Sequence, residues 1–500
     1  MKKTVIVMDC GATNVRAIAV SESGELLAMH SFPNNTQPDP ETKGCLIWDV
    51  NEIWDKLLRS THEVLKKIDK KSIVGVTVTT FGVDGAPVKK DGSFVYPVIS
   101  WACSRTQPVM DAISKYIPLS ELYRLNGLQP MHFNTINKLI WFKENRPKVL
   151  DEMDKYVLIP SIFLHKLCGE YVTDTSMAGT SMLTDITGRG FSERILSAIG
   201  VSKEKFPRMV EPGTVVGKVT KEGSAATGIP EGVAVIAAGH DTQFAIFGSG
   251  AKENEPVLST GTWEILMART RGYKADDGTL AKGVTTEYDT MPGLYNMGVQ
   301  WIASGALEWI KKMFYAKEAD SKNIYDTMIS EAKAVPVGCD GVHLHPCFVP
   351  KVGPSAIYNT HGSMLGLTLT STRGHIYRAM LEGLAAQTKE ALAILETAGN
   401  FKAKSLICVG GGSKNALWNQ MRADFLGIPV KLIEQKETTV LGAALFALAG
   451  AGVFKNADEA RDVIKYGGET FTPGADASKY VPVYERFVKL AAALAPIYRA

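Results

Sequence analysis

Two aspartates follow short apolar runs, and each is a candidate for chemistry at a hydroxyl or phosphate oxygen. Asp241 follows the run 233–238 and stands where a helical pattern begins, and Asp9 ends the first apolar run of the chain. An aspartate at the start of a helix often only caps it, and an aspartate after a strand often only starts a turn. A carboxylate in such a place can also accept the proton of a hydroxyl group. Spacing alone leaves both interpretations open for each residue.

Three glycine-containing turns could bring backbone N–H groups and hydroxyls to a phosphate. They are residues 9–14 (DCGATN), residues 260–262 (TGT) and residues 410–413 (GGGS). Consecutive N–H groups in such turns bind anions, although each turn alone is more often simply a turn. None matches GxxxxGK[ST] or GxGxxG, so a nucleotide site here would be of another type.

The two aspartates together would suit a divalent cation. If Asp9 and Asp241 face each other, they offer Mg²⁺ the oxygen ligands it prefers, with water completing the shell and bridging to phosphate. Arg16 lies just beyond the first turn. It either reaches a terminal phosphate or is a surface charge on a strand.

Polar and aromatic residues in the first half could form a sugar site. Residues 79–85 (TTFGVDG) contain Asp84 and lie where α/β proteins place ligand loops, and Trp101 and Arg105 bracket a later turn. An aromatic ring covers the C–H face of a sugar, and charged groups fix its hydroxyls. Trp101 could equally belong to the core, and composition does not separate these interpretations.

Alternating strands and helices must position these residues. Apolar periodicity predicts strands at residues 4–8, 15–20, 25–31, 73–79, 96–101, 233–238 and 405–409, and helices at residues 50–67, 136–144, 242–247, 300–314, 374–398 and 417–426. Such alternation predicts an α/β fold with covered parallel strands. The N-terminal pattern of strand, Gly-Thr turn and strand recurs at residues 255–268, and Gly11 and Gly261 lie 250 positions apart in a chain of 500 residues. We therefore expect a duplication with a boundary near residue 250.

Composition favours a protein that acts on a small molecule. Charged residues make up 21% and the net charge is +3, so nothing requires a nucleic-acid partner. The seven cysteines contain no CxxC pair, which favours reduced thiols in a cytoplasmic protein. The N-terminal apolar run is too short for a signal peptide, and residues 441–454 fall short of the roughly 20 residues of a membrane span. We expect a soluble, cytoplasmic protein with no membrane partner.

Six groups of residues resemble, in the same order, the FGGY family of carbohydrate kinases. They are Asp9-x-Gly11-x-Thr13-Asn14-x-Arg16, Phe133-x-Thr135-x-x-Lys138-Leu139-x-Trp141-Phe142, Gly239-His240-Asp241, Thr260-Gly261-Thr262, Gly362-x-Met364-x-Gly366-Leu367 with His375-Ile376 and Glu382, and Gly410-Gly411-Gly412-Ser413. The resemblance implies an α/β protein of two actin-like (ribonuclease H-like, ASKHA) domains flanking a central cleft. Residues 1–248 would bind the sugar, and residues 249–500 would bind ATP.

The resemblance also implies a role for individual residues. Asp241 would be the catalytic base and would contact the sugar, and Asp9 with Asp241 would position Mg²⁺. The remaining implied roles are phosphate binding by Gly11, Thr13, Asn14, Arg16, Thr260, Gly261 and Thr262, adenine binding by Gly411, Gly412 and Asn415, and sugar binding by Asp84, Trp101, Arg105 and Phe133. Two departures are Ala12, where many members have threonine, and Cys103, where the xylulose kinases carry aspartate.

Within the family, residues 79–85, 178–181, 239–245, 261–266 and 410–420 look most like the kinases that act on L-fuculose. We therefore expect ATP-dependent phosphorylation of the C1 hydroxyl of this ketose. The alternatives are the same reaction on L-rhamnulose, D-ribulose or L-xylulose, which differ by a methyl group or a hydroxyl configuration, and a non-catalytic sugar or nucleotide sensor on the same fold. The expected partners are the sugar and ATP, with a homodimer possible.

Overall fold

The computed structural model describes residues 2–350, 352–354 and 360–498, and the chain forms two compact units. Unit 1 comprises Met1–Gly250, Glu287–Leu294 and Glu437–Lys465, and unit 2 comprises Ala251–Thr286, Tyr295–Lys436 and Tyr466–Ala500. Two segments of the second half therefore fold with unit 1. The sequence patterns did not predict this exchange of segments.

The strands within the described residues are short, as is usual for globular proteins. They are β1 (Thr4–Cys10), β2 (Asn14–Ser21), β3 (Leu26–Pro33), β4 (Gln37–Pro38), β5 (Leu46–Trp48), β6 (Ile73–Thr80), β7 (Gly85–Val88), β8 (Val98–Ile99), β9 (Lys155–Leu158), β10 (Val172–Asp174), β11 (Thr184–Asp185), β12 (Gly190–Phe191), β13 (Arg208–Val210), β14 (Val215–Lys218), β15 (Ala234–Ile236), β16 (Val257–Thr260), β17 (Trp263–Thr270), β18 (Thr285–Tyr288), β19 (Tyr295–Ile302), β20 (His343–His345), β21 (Ser363–Leu365), β22 (Leu406–Gly410), β23 (Val430–Leu432) and β24 (Thr470–Phe471).

The helices range from single turns to one of 27 residues. They are α1 (Val50–Leu65), α2 (Gln107–Asp111), α3 (Leu119–Asn126), α4 (Thr135–Asn145), α5 (Pro147–Glu152), α6 (Ile159–Cys168), α7 (Thr175–Gly179), α8 (Glu193–Ile199), α9 (Lys221–Thr227), α10 (Asp241–Gly248), α11 (Asp277–Ala281), α12 (Ser304–Phe314), α13 (Ile324–Lys333), α14 (Arg373–Gly399), α15 (Ala416–Leu426), α16 (Thr438–Gly450), α17 (Ala457–Asp462) and α18 (Ala477–Leu494). Among the described residues, no helix combines the length and apolar character that a membrane span requires.

The main sheet of unit 1 has the strand order β14-β15-β6-β1-β2-β3. β1 is antiparallel to β2 and parallel to β6, and β6 is parallel to β15. Every residue of β1 is buried, as expected for a strand covered on both faces of the sheet. The register between β1 and β2 places Asp9 opposite Arg16.

The main sheet of unit 2 repeats this arrangement. Its central order is β19-β17-β16-β22-β23, with β18 and β24 at the edges. β16 is antiparallel to β17 and parallel to β22, so it corresponds to β1. Order and direction therefore match between the two sheets, and this is the ribonuclease-H-like arrangement. The predicted α/β class and the two actin-like domains are confirmed.

Close packing of α10 and α16 fixes the helix that begins at Asp241. Both helices belong to unit 1, and α16 consists almost entirely of small and apolar residues. A Cβ atom at Gly442 would lie 2.0 Å from the carbonyl oxygen of Phe244, so only glycine permits this approach of the two backbones. The close contact positions α10 rigidly against the rest of unit 1.

One helix prediction is wrong at its start. Residues 300–302 lie at the end of strand β19, and helix α12 begins at Ser304. β19 pairs with β17 along its whole length, with Ile302 opposite Trp263, so long-range pairing overrides the local helical pattern. The strand predicted at residues 96–101 is reduced to β8. No strand or helix was predicted between residues 316 and 362, and residues 351 and 355–359 of this segment lie outside the described residues.

Candidate active site

Asp241 is the first residue of α10, five positions after Ile236, the last residue of β15. His240 occupies the N-cap position without a side-chain capping bond, so Asp241 is in the first helical turn and is not the cap itself. Its Oδ1 accepts a hydrogen bond from Thr242 N at 2.6 Å, and its side chain is 30% exposed. One oxygen is therefore held in place while the carboxylate stays accessible to a ligand.

His240 lies next to this carboxylate, and Glu287 lies on the other side of the His240 ring. His240 Nε2 lies 3.6 Å from Asp241 Oδ1, and His240 Nδ1 lies 3.3 Å from Glu287 Oε2. Burial raises the pKa of Asp241, and the charge of His240 together with the bonds from Thr242 opposes that rise. Burial lowers the pKa of His240, but Glu287 and Asp241 outweigh it, so the pKa is raised overall. A protonated imidazole therefore favours the ionised form of Asp241.

A close contact with Asp174 fixes the backbone that precedes Asp241. A Cβ atom at Gly239 would lie 1.8 Å from Asp174 Oδ1, so no larger residue fits. Asp174 is the N-cap of α7 and accepts hydrogen bonds from Ser176 N and Met177 N. Thr80 N, at the end of β6, donates to the Gly239 carbonyl at 2.9 Å. The backbone at Gly239 is thus held by Asp174 on one side and by the end of β6 on the other.

Asp9 lies at the end of β1 and is buried. Arg16 donates to its Oδ2 from Nε at 2.9 Å and also from Nη2, and Arg16 Nη1 donates to Glu437 at 2.7 Å. Burial raises the pKa of Asp9 to about 6, Arg16 opposes that shift, and the charges of Asp241 and Glu437 add to it. Asp9 and Asp241 are therefore close enough to repel each other.

The first glycine-containing turn presents its side chains to solvent. Gly11 N donates to Asn14 O at 2.9 Å, and Asn34 Nδ2 donates to the Gly11 carbonyl at 2.9 Å. Thr13 and Asn14 are exposed. Arg16 instead has its guanidinium shared between two carboxylates, with 22% of its side chain exposed.

Asp84 is fully buried, and protein groups contact both of its oxygens. Lys138 Nζ forms an ion pair with Oδ1. Trp48 Nε1 and Trp101 N donate to Oδ2 at 2.7 and 3.0 Å. Burial raises the pKa of Asp84 and lowers that of Lys138, and the ion pair opposes both shifts. Asp84 thereby fixes the start of the loop that carries Trp101.

Trp101 and Phe133 form an aromatic pair in which Phe133 is half-buried. Trp101 is 37% exposed, and its ring meets that of Phe133 edge-on with centroids 6.3 Å apart. The Arg105 side chain is only 3% exposed, and its Nη2 lies 2.7 Å from Asp39 Oδ2. Arg105 therefore holds protein groups together in this structure.

In unit 2, Thr260 links the end of β16 to the glycine-rich turn. Its Oγ1 donates to Val409 O at 2.6 Å and accepts from Ser413 N at 3.0 Å. The next two residues, Gly261 and Thr262, are exposed. The Thr260 hydroxyl therefore shapes the turn, and the two residues after it are open to a ligand.

The third turn leads into α15. Residues Gly411–Lys414 form a 3₁₀ turn, and Asn415 caps α15 by accepting from Trp418 N at 3.1 Å. The Asn415 amide also donates to Tyr377 OH at 3.3 Å. Gly411 is exposed and Gly412 is half-buried, and a Cβ atom at Gly411 would meet no other heavy atom within 4 Å. This turn leaves open space beside its backbone.

Comparison with known proteins assigns the chain to a protein family. The model of the FGGY family of carbohydrate kinases, N-terminal domain, matches residues 4–248, and the model of its C-terminal domain matches residues 257–451. The chain belongs to the FGGY family of carbohydrate kinases. It is therefore a kinase that uses ATP and a sugar.

Relatives and solved structures agree with this family. An L-fuculokinase of Escherichia coli strain K12 is 44% identical over 474 residues, covering 94% of this chain and 98% of that protein. A rhamnulokinase of Bacteroides thetaiotaomicron is 28% identical over 462 residues, covering 90% and 92%. A crystal structure of xylulose kinase from Rhodospirillum rubrum aligns with a TM-score of 0.89 at 23% identity, covering 100% of both chains. The last comparison bears on the fold alone.

Several residues of this carbohydrate kinase that contact the candidate site were not predicted from sequence. Glu437 contacts Arg16 from a position 421 residues away, and Glu287 contacts His240 from beyond the repeat boundary. No local pattern marks either glutamate. Asp174 could have been found, because it follows a short strand and precedes small polar residues that suit a helix start.

Proposed function

We propose that this carbohydrate kinase transfers the γ-phosphoryl group of ATP to the C1 hydroxyl of L-fuculose. The observation that carries the substrate is the much higher identity to relatives described as L-fuculokinase, over nearly the full length of both chains, than to the rhamnulokinase. A pocket discriminates a methyl group by only about 1–3 kcal/mol. Overall similarity therefore supports this ketose better than any single motif does.

Asp241 is the proposed base. Its Oδ1 is held by Thr242 N, and its side chain keeps the exposure needed to meet a hydroxyl group. In phosphoryl transfer the attacking oxygen has formed little bond at the transition state, so its proton leaves late. The proton of the sugar hydroxyl passes to Asp241, the phosphoryl group passes to the sugar oxygen, and ADP leaves. Orientation of the hydroxyl contributes more than basicity.

The proposed sugar site centres on the exposed Trp101 and the half-buried Phe133. Their rings offer an apolar face, which suits C–H groups and the C6 methyl of a 6-deoxy sugar. Asp84 and Arg105 remain in the proposal, but both contact protein groups. These contacts favour a role in positioning the site over direct contact with the sugar. They hold the loop that carries Trp101 from its two ends.

The proposed nucleotide contacts lie in the three turns. Gly11, Thr13, Asn14 and Arg16 in unit 1, and residues 260–262 in unit 2, are proposed to bind phosphates through N–H groups, hydroxyls and charge. Gly411, Gly412 and Asn415 are proposed to border the adenine, a role that the open space beside Gly411 supports. The assignment of sugar to residues 1–248 and of ATP to residues 249–500 follows the same proposal.

We propose that Mg²⁺ binds beside Asp9 and Asp241. The charge of Asp241 raises the pKa of Asp9, and a divalent cation would relieve this repulsion. No group of three metal-ligating side chains occurs among the described residues, which suits an ion that takes most of its ligands from water and phosphate. When bound, the ion would neutralise charge on the phosphates. Asp9 and Asp241 would hold it through their carboxylate oxygens.

A substrate panel tests the proposal. ATP consumption is measured with L-fuculose, L-rhamnulose, D-ribulose and L-xylulose at matched concentrations, and phosphorylated products are identified by mass. The highest kcat/KM is expected for L-fuculose. A clear preference for another ketose would overturn the substrate, and no product from any sugar would favour a sensor.

Asp241→Asn tests the base. The kcat is expected to fall by roughly 10²-fold or more, while ATP affinity is retained. Asp55→Asn is the matched control, because the Asp55 side chain is 62% exposed on helix α1, and its kcat should not change. An Asp241→Asn enzyme within a few-fold of the parent would remove Asp241 from this role.

The cytoplasmic location and the possible homodimer stay predictions. Free thiols at all seven cysteines support a reducing compartment. Light scattering coupled to size-exclusion chromatography measures the oligomeric state directly.

A further inference from the structure

Cys45 and Cys103 lie together at the border of the proposed sugar site, and the reaction proposed above uses neither. Strand β5 is antiparallel to β8, with Ile47 opposite Ile99. The start of β5 and the end of β8 are therefore at the same end of this small sheet. Cys45 directly precedes β5, and Cys103 follows β8, so the fold brings two cysteines that are 58 positions apart into one place.

Cys103 is held by two hydrogen-bond donors. Its Sγ accepts from Leu46 N at 3.3 Å and from Arg105 Nε at 3.1 Å. Burial raises the pKa of the Cys103 thiol, but the hydrogen bonds and charge of Arg105 and the bond from Leu46 outweigh it, so the pKa is lowered overall. A cysteine beside a guanidinium carries more thiolate, which is the nucleophilic form.

Cys45 is the complementary partner. It is half-buried, whereas Cys103 is buried, and burial raises its pKa, with a hydrogen bond to Cys103 among the further causes. Cys45 therefore stays a thiol, and it directly precedes Leu46, whose backbone N–H contacts the Cys103 sulfur. A reactive thiolate next to a second thiol is the arrangement that lets the first oxidation product be captured as a disulfide.

We propose that Cys45 and Cys103 are a dithiol that hydrogen peroxide oxidises to a disulfide, and that this disulfide weakens sugar binding. The Cys103 thiolate attacks one peroxide oxygen, the O–O bond breaks, and Cys103 sulfenic acid and hydroxide form. The Cys45 sulfur then attacks the Cys103 sulfur, an S–S bond forms, and the sulfenic oxygen leaves as hydroxide. The protons of the two thiols convert both hydroxides to water. Two sulfurs are oxidised and one peroxide is reduced.

Oxidation changes the groups that hold the loop carrying Trp101. A disulfide sulfur is neutral and a weaker acceptor than a thiolate, so Arg105 Nε and Leu46 N lose their partner. Arg105 also contacts Tyr96, Asp39 and the Leu46 carbonyl, so we expect its guanidinium to move relative to the loop when the Cys103 contact is lost. The consequence for sugar affinity rests on the proposed sugar site. Formation of the disulfide does not.

Peptide mapping tests the disulfide without reference to any sugar. The full-length protein is treated with hydrogen peroxide, remaining thiols are blocked with N-ethylmaleimide, and the protein is digested with trypsin. Cleavage after Lys43, Lys56, Lys90 and Arg105 releases residues 44–56 and 91–105, each with one cysteine. A cross-linked pair of these peptides, lost after dithiothreitol treatment, is expected. Separate blocked peptides at peroxide levels that oxidise other thiols would overturn the proposal.

Kinetics of the same samples test the effect. Oxidised wild type is expected to show a sugar KM raised roughly tenfold, little change in ATP KM, and full recovery with dithiothreitol. Cys45→Ser and Cys45→Ala should keep basal activity and lose the reversible KM change, and Cys168→Ser, the half-buried control cysteine, should respond like wild type. An oxidised, cross-linked enzyme with unchanged sugar KM would refute the effect on binding. Inactivity of reduced wild type on L-fuculose would instead refute the proposed function.

Discussion

Replacing Lys138 by methionine should destabilise unit 1 strongly. The Lys138 side chain is 1% exposed and that of Asp84 is 0% exposed, and Lys138 also donates to Val83 O at 3.1 Å. The substitution keeps most of the side-chain volume and removes the charge. Asp84 would then be a buried carboxylate whose remaining side-chain contacts among the described residues are with Trp48 and Trp101, each a neutral donor.

The cost follows from that burial. Breaking a buried ion pair by removing one partner costs about 3–5 kcal/mol, because the remaining charge is uncompensated. For a unit of this size, such a loss lowers Tm by roughly 6–20 °C. The penalty should shrink at low pH. Loss of Lys138 raises the folded-state pKa of Asp84 further above its unfolded value, so the penalty is full at high pH and disappears as the pH falls through the folded pKa.

Thermal and urea unfolding measure this loss at about pH 8 and about pH 5. Lys66→Met is the matched control, because Lys66 pairs with Glu63 on the surface with 67% of its side chain exposed, and such a pair is worth about 0–1 kcal/mol. The double variant Lys138→Met with Asp84→Asn should cost less than the sum of the two single changes. A Lys138→Met protein as stable as Lys66→Met, or a loss independent of pH, would refute the reasoning.

Three further changes test other parts of the structure. Gly239→Ala should lower the free energy of unfolding by more than about 1 kcal/mol and also lower kcat, because the new Cβ would lie 1.8 Å from Asp174 Oδ1. An unchanged free energy of unfolding together with an unchanged kcat would contradict the close contact. Burial raises the pKa of Asp174 to about 6, so the buried charge of Asp174 destabilises the fold above that pH and ceases to do so as the pH falls. In urea unfolding, Asp174→Asn should therefore gain more stability relative to wild type at about pH 7.5 than at about pH 4.5. An equal gain at both pH values would contradict this prediction. Thr260→Val leaves Val409 O without its donor and should cost about 1–3 kcal/mol and raise the ATP KM, whereas unchanged unfolding would argue against the role of that hydroxyl.

Local patterns predicted the α/β class and the recurrence of the first strands, whereas the resemblance to the FGGY family implied the two actin-like domains. Strand β1 is a buried, mainly apolar run followed by a glycine turn, and β16 begins with two buried apolar residues and also leads into a glycine turn. These signals depend only on neighbouring residues, so a single sequence contains them. The start of helix α12 was wrong because residues 300–302 pair with a strand that lies some forty positions earlier in the chain. Pairing over such a separation leaves no mark on the local periodicity.

The surroundings of the candidate residues were less predictable than the residues themselves. Asp84 and Lys138 are 54 positions apart, and each is an ordinary charged residue in its own segment. Only the fold brings them together with Trp48 and removes them from solvent. Arg105 illustrates the same limit, because its pairing with Asp39 depends on a small sheet of three very short strands. The sequence identifies charged residues as candidates, but it does not show which of them are already paired with other groups of the protein.

The duplication preserved the strands more closely than the loops between them. In unit 1, Cys10 pairs with Val15 across the turn, whereas in unit 2 the equivalent Thr260 pairs with Glu264, so the second turn is one residue shorter. The buried Cys10 offers no hydroxyl, while Thr260 uses its own to bind Val409 O and Ser413 N. The two turns present different donors in different geometry despite a similar Gly-Thr pattern.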